Sequence, residues 1–193
     1  HLGGGACSLA RYCADVYPNS RNTVVELDAK LAEHVRDWFD IPKSPRVKIR
    51  VGDAGTVTRS FAPASRDVVI RDVFAVDKTP VELTGVDFVR TVDNSLAPGG
   101  LYILNCGDDR ALNAARAEAA ALLEVFEYVS IVADSAMLKG RRRGNVILAG
   151  SHVPLPQLGS AEAASISRVL MGGGVPAQYW DTEKVRVFAR KGA

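Results

Sequence analysis

Gly3-Gly4-Gly5 is the feature that most constrains what this chain can fold into. Three successive residues without a Cβ allow a tight turn in which a ligand can touch the main chain. The residues that follow, Leu9, Ala10, Cys13 and Ala14, fall at helical spacing until Pro18-Asn19 stops the run. A glycine turn that feeds a helix aims that helix's free amide groups at the ligand. Such a turn follows a strand, yet only His1 and Leu2 precede Gly3, so the first strand is expected mostly upstream of the sequence given. Glu26 then closes the β-branched run Asn22 to Leu27. It stands near the roughly 20-residue separation at which a carboxylate meets ribose hydroxyls in nucleotide-binding α/β folds.

The same alternation continues along the chain. Leu31, Ala32, Val35, Trp38 and Phe39 share a helical face between Ala29 and Phe39, and Val47, Ile49 and Val51 form a strand that ends at Gly52-Asp53-Ala54-Gly55. Asp67 to Asp72 is apolar in its middle, as a buried parallel strand should be, and again ends in an acid. A helix is expected over 84–96, a turn at Pro98-Gly99-Gly100 and a strand over 101–106. Beyond these come an Ala-rich helix over 111–126 and strands over 128–133 and 145–149, the last antiparallel at or near an edge. Arg141-Arg142-Arg143 reads as a solvated loop joining those two strands, with a phosphate contact as the alternative. After Gly150 the pattern weakens. Pro154 and Pro156 mark a linker, 161–171 is helical, Gly172-Gly173-Gly174 ends it, and 180–190 reads as a terminal helix. The fold expected is α/β and Rossmann-like: a mostly parallel seven-stranded sheet with helices on both faces. Residues 1–150 would form the nucleoside-binding domain and 151–193 a C-terminal extension packed on it.

Ligands in such sheets sit at the carboxyl ends of the strands, where Glu26, Asp53 and Asp72 all fall. Asp28 and Asp67 read instead as caps. At 193 residues and 47% apolar composition, one large core is expected. Lys plus Arg number 24 against 22 for Asp plus Glu, a balance that argues against nucleic acid or membrane as the main partner. Cys7, Cys13 and Cys106 lack metal-ligand spacing and read as small apolar residues in a reducing, cytoplasmic setting. No metal site is expected, His34 and His152 read as surface residues without a partner, and no run of about 18 apolar residues asks to enter a membrane.

These five stretches, Gly3-Gly4-Gly5, Val25-Glu26-Leu27-Asp28, Val51-Gly52-Asp53-Ala54, Asp67 through Asp72 and Leu96-Ala97-Pro98-Gly99-Gly100, occur in the order that resembles the spermidine synthase family of aminopropyltransferases. That family shares the class I methyltransferase fold. The resemblance covers residues 1 to about 150. It implies that Gly3, Gly4 and Gly5 pass under the methionine-derived chain of a sulfonium nucleoside. Glu26 would take the ribose hydroxyls, Asp53 with Ala54 would meet adenine, and Asp72 would hold the attacking amine and accept its proton. The co-substrate would be decarboxylated S-adenosylmethionine or S-adenosylmethionine, with no permanently bound cofactor. The acceptor would be a diamine such as putrescine or another polyamine, and the assembly a homodimer. Two positions depart from the pattern: Ala6 stands where the glycine motif carries an acid, and Ala75 where strand four's second acid falls. Asp77, two residues later, is the candidate substitute for that second acid if the loop is rearranged, with a surface-loop position as the alternative.

The implied activity is aminopropyl transfer giving spermidine and methylthioadenosine. The alternatives are an S-adenosylmethionine methyltransferase, to which Ala6 is congenial, and a spermidine-synthase-like binding domain without turnover. A nicotinamide dehydrogenase fits least, because Gly3-x-Gly5-x-x-Ser8 only approximates the dinucleotide pattern.

Overall fold

Leu2 joins the two halves of the sheet. In the computed structural model, which describes residues 1–190, this side chain is buried and bridges in parallel to Val25 on one side and Arg71 on the other. Its amide donates to the Ile70 carbonyl (2.7 Å) and its carbonyl accepts from Asp72 (2.8 Å). Leu2 thus ties together the strands on either side of it. On one side lie β1 (Asn22–Glu26) and β2 (Val47–Val51), paired in parallel. On the other, β3 (Arg66–Arg71) pairs in parallel with the thirteen-residue β4 (Leu96–Asp108). Beyond β4 the sheet turns antiparallel through β6 (Gly144–Ser151), β5 (Tyr128–Asp134) and β7 (Ala177–Trp180). The resulting order is β2-β1-Leu2-β3-β4-β6-β5-β7. The fold is α/β and Rossmann-like, parallel where the glycine loop enters and antiparallel away from it.

Neighbouring residues of a strand face opposite sides of the sheet, and β1 separates two cores accordingly. Val24 packs with Ala10 and Ala14 of α1 (Ser8–Val16), Val35 of α2 (Ala29–Trp38) and Val47. Val25 belongs to the larger cluster, with Phe88 and Val92 of α4 (Gly85–Ser95) and Ala119 and Leu122 of α5 (Asn113–Leu123). The β-branched pair Val24-Val25 is what lets one short strand serve both faces. Helix α7 (Ala161–Met171) follows β6, and α8 (Thr182–Arg190) returns to α5, placing Val185 and Phe188 in the larger core. Trp180 meets Phe188 edge-on, with ring centroids 5.6 Å apart.

Several expectations are corrected. The strand around 145–149 is antiparallel but lies inside the sheet, between β4 and β5, because Val146 and Leu148 are buried there. The edge belongs to β7, a four-residue strand too short to announce itself. The expected helix over 180–190 is therefore the end of β7 followed by α8, with Asp181 at the joint accepting from the Lys184 and Leu158 amides. Pro98-Gly99-Gly100 does not interrupt β4. Arg66 pairs with Leu96 and Val68 with Leu101, so the extra residues bulge out, with Gly99 at φ +80°. Asp67 is an exposed residue within β3 rather than a cap. His152 has a partner, its Nε2 lying 2.9 Å from Asp93, and His34 stacks on Trp38. Two short helices, α3 (Ala54–Arg59) and α6 (Ser135–Leu138), were not anticipated; the Asp53 and Asp134 carboxylates cap them. Among the described residues no helix is long and apolar enough to cross a membrane.

Candidate active site

Gly3 is the residue at which the site is fixed. It sits at φ +92°, donates to the Val25 carbonyl (3.0 Å), and approaches Asp72 so closely that a Cβ would lie 2.1 Å from the Asp72 carbonyl oxygen. No side chain fits there. Gly4 is nearly as confined, since a Cβ would stand 3.0 Å from Glu26 and from Val24. Gly5 faces open space at φ +46°. The loop thus passes between the ends of β1 and β3 and delivers the chain into α1 at Ser8.

Glu26, the last residue of β1, reaches back over this loop. Its Oε2 accepts from the Gly4 and Gly5 amides, both at 3.0 Å, and its Oε1 accepts from Asp28 at 3.0 Å. A carboxylate offers about four lone-pair sites, so three amides leave Oε1 able to accept once more. Asp28 caps α2 through the Lys30 and Leu31 amides, the role its spacing suggested. Asp53 follows β2 and caps α3 through the Thr56 amide at 2.7 Å. That backbone hydrogen bond, ahead of the other influences, holds its carboxyl below the usual aspartate value. Ala54, the first residue of α3, is buried behind it.

Asp72 follows β3 and is exposed. Its Oδ1 accepts from Asn105 Nδ2 at 2.9 Å. The register explains the pairing: Arg71 lies opposite Leu104, so the next residues of the two parallel strands meet. Gly3, Gly4, Gly5, Glu26, Asp53, Ala54 and Asp72 all line one cleft of about 740 Å³. Asp77 does not. The Ala75 amide donates to the Lys78 carbonyl (2.8 Å) in a turn that carries Asp77 away, into a second cavity of about 930 Å³ where Arg143 approaches it at 3.8 Å. Ala75 lines the first cleft, and the Phe74 ring borders both. Arg142 pairs with Asp134 at 3.1 Å, so two members of the arginine run have carboxylate partners.

Sequence reasoning missed two residues. Asn105 reads as the polar end of an apolar strand, and only the β3–β4 register reveals its partner. Arg71 reads as one of the residues bounding an apolar run, yet it is fully buried: Nη1 donates to the Leu83 carbonyl (2.5 Å) and Nη2 to Glu118 Oε1 (2.7 Å). Burial by itself would lower the guanidinium's pKa, but Tyr102 and Glu118 beside it raise it overall. Burial pushes the Tyr102 phenol far up as well. Burial first, then Glu118 and Asp108, pushes the Cys106 thiol up to about 12, and burial raises Cys7 too. Both shifts favour the neutral thiol. Among the described residues no group of three His, Cys, Asp or Glu side chains is placed to hold a metal ion.

A Rossmann-like sheet entered by a glycine loop, with acids at three successive strand ends around one cleft, defines a domain of the class I methyltransferase fold. No family model matches the chain. Its structure superposes on that of a probable spermidine synthase from Corynebacterium glutamicum ATCC 13032 with a TM-score of 0.95 and 61% identity, over 98% of this chain and 68% of that one. The chain belongs to the spermidine synthase family. It is also 33% identical over 120 residues to the eEF1A lysine and N-terminal methyltransferase of Mus musculus, matching 56% of this chain and 17% of that protein. A probable polyamine aminopropyl transferase of Bifidobacterium longum (strain NCC 2705) is 29% identical over 107 residues, 54% of this chain and 23% of that protein. The chain spans less than half the length of the curated relatives it matches.

Proposed function

We propose that this transferase moves the aminopropyl group of decarboxylated S-adenosylmethionine to a diamine such as putrescine. The observation that carries the reading is the placement of Asp72, an exposed carboxylate oriented by Asn105 in the same cleft as the glycine loop and Glu26. An alkyl amine is protonated near neutrality, and only its free lone pair can attack the carbon beside a sulfonium. Asp72 accepts the ammonium proton and holds the nitrogen. The nitrogen forms a bond to the propyl carbon, and the carbon–sulfur bond breaks with its electrons passing to sulfur. The sulfonium leaves as the neutral thioether methylthioadenosine. A carboxylate in this role is worth on the order of 10²–10⁴ in rate, and holding amine and carbon in line contributes further. The remaining lone pair of Glu26 Oε1 would accept a ribose hydroxyl, and Asp53 with Ala54 would border the adenine.

The second reading is methyl transfer from intact S-adenosylmethionine. Ala6 favours it, because it removes a negative charge from the side of the cleft where the donor's carboxylate would lie, and so does the match to a lysine and N-terminal methyltransferase. Both readings share donor class, cleft and general base. Calorimetric titration with the two donors in parallel separates them. Tighter binding of the decarboxylated donor supports aminopropyl transfer, tighter binding of the intact donor moves the assignment to methyl transfer, and binding of neither removes both.

A further inference from the structure

We propose that Arg71 and Glu118 are positioning residues for the transfer step, a buried pair that fixes the direction of Asp72 and clamps both ends of the segment running from Asp72 to Leu83. The inference rests on Asp72 being the residue that holds the amine. Arg71 immediately precedes Asp72, and strand alternation sends the two side chains to opposite faces of β3. Any shift of the guanidinium is therefore passed along one short piece of main chain to the carboxylate. The same guanidinium reaches twelve residues ahead to the Leu83 carbonyl, and Leu83 lines the cleft. One side chain thus ties the start of the 72–83 segment to its end, while Glu118 anchors both to α5. Between the ends the segment is closed on itself by the turn at Ala75 and Lys78, while Phe74 through Lys78 are exposed and Val76 projects fully into solvent at φ +64°.

The chemistry of the pair points to geometry rather than stability. Arg71 is 0% and Glu118 4% exposed, and among the described residues Arg71 Nε, Glu118 Oε2 and the Tyr102 hydroxyl are buried without a hydrogen-bond partner. An incompletely satisfied buried ion pair is a poor stabiliser, and apolar residues of similar volume often serve the fold equally well or better. What apolar residues cannot do is reach a carbonyl and a carboxylate at once from a planar fork. A displacement of about 1 Å at a reacting group can cost on the order of 10² in rate.

The test compares the wild type with the double variant Arg71→Met/Glu118→Leu and with Arg71→Lys. The readouts are donor affinity, acceptor KM and kcat for methylthioadenosine release, and hydrogen–deuterium exchange of peptides across 72–83 and 22–26. The double variant is expected to fold and to bind donor within about twofold of wild type. Its kcat should fall about 10–100-fold, and exchange should quicken across 72–83 but not 22–26. Should the double variant not fold, Arg71→Lys, which keeps the charge and gives up the fork, is expected to show the same split. A folded variant with kcat within twofold of wild type, or with unchanged exchange across 72–83, overturns the proposal. A wild type that binds donor yet releases no methylthioadenosine refutes the functional reading instead, and the exchange data alone then decide whether the pair anchors the segment.

Discussion

Gly3 and Gly5 stand two residues apart, yet they predict different things. An alanine at Gly3 meets the Asp72 carbonyl at 2.1 Å as well as an unfavourable φ, so Gly3→Ala is expected to destabilise the protein by about 2–4 kcal/mol. Gly5→Ala, which meets nothing, should cost only the left-handed conformation, about 1–2 kcal/mol. Urea unfolding of both variants checks the order. Asp72→Asn keeps the hydrogen bond to Asn105 within reach but cannot take a proton. It is expected to lower kcat by about 10²–10⁴ while leaving donor affinity unchanged. The glycines and strand-end acids were legible because tight turns and capped or ligand-facing acids restrict residue type. Asn105 and Arg71 were not, because their roles depend on the register between β3 and β4 and on a helix 47 residues away in sequence. The two positions open to Asp77 were not separable for a related reason: a turn closed by main-chain hydrogen bonds at Ala75 and Lys78 decides which cavity it lines.

Among the elements, α3 shows how a cap and a cleft-lining residue coincide. The Asp53 carboxylate that borders the cleft also satisfies the Thr56 amide, so Asp53→Ala is expected to cost about 1 kcal/mol and to weaken donor binding together. Because the folded-state pKa of Asp53 is depressed from 3.8, its contribution is present above that value and lost as pH falls through the lower folded value. The stability gap between wild type and variant, followed by denaturant titration, should therefore hold from neutrality to about pH 5 and close in stronger acid. The long periodic elements α1, α2, α4, α5 and α7 and the apolar strands were legible from spacing alone. Three short elements were not: α3, α6 and β7 lack an apolar run or a period of their own, and a cap or a neighbouring strand decides them.

At the scale of the molecule, one half of the sheet builds the cleft and the other half braces it. The expected alternation of strand and helix captured the parallel half and the antiparallel sense of the strand at 145–149, but the order β4-β6-β5-β7 depends on pairings that no local pattern encodes. Helix α8 fastens that half through Phe188, which is buried against Trp180 and lies under the Arg116 guanidinium. Phe188→Ala is expected to cost about 3–5 kcal/mol, read by urea unfolding with Trp180 as the fluorescent reporter. We propose that this cleft transfers an aminopropyl group. The measurement that tests it most directly is methylthioadenosine release from decarboxylated S-adenosylmethionine with putrescine, beside the same protein given S-adenosylmethionine. The expected result is release with the decarboxylated donor, dependent on putrescine and nearly abolished in Asp72→Asn. Release of S-adenosylhomocysteine from the intact donor, with no methylthioadenosine from the decarboxylated one, would contradict it.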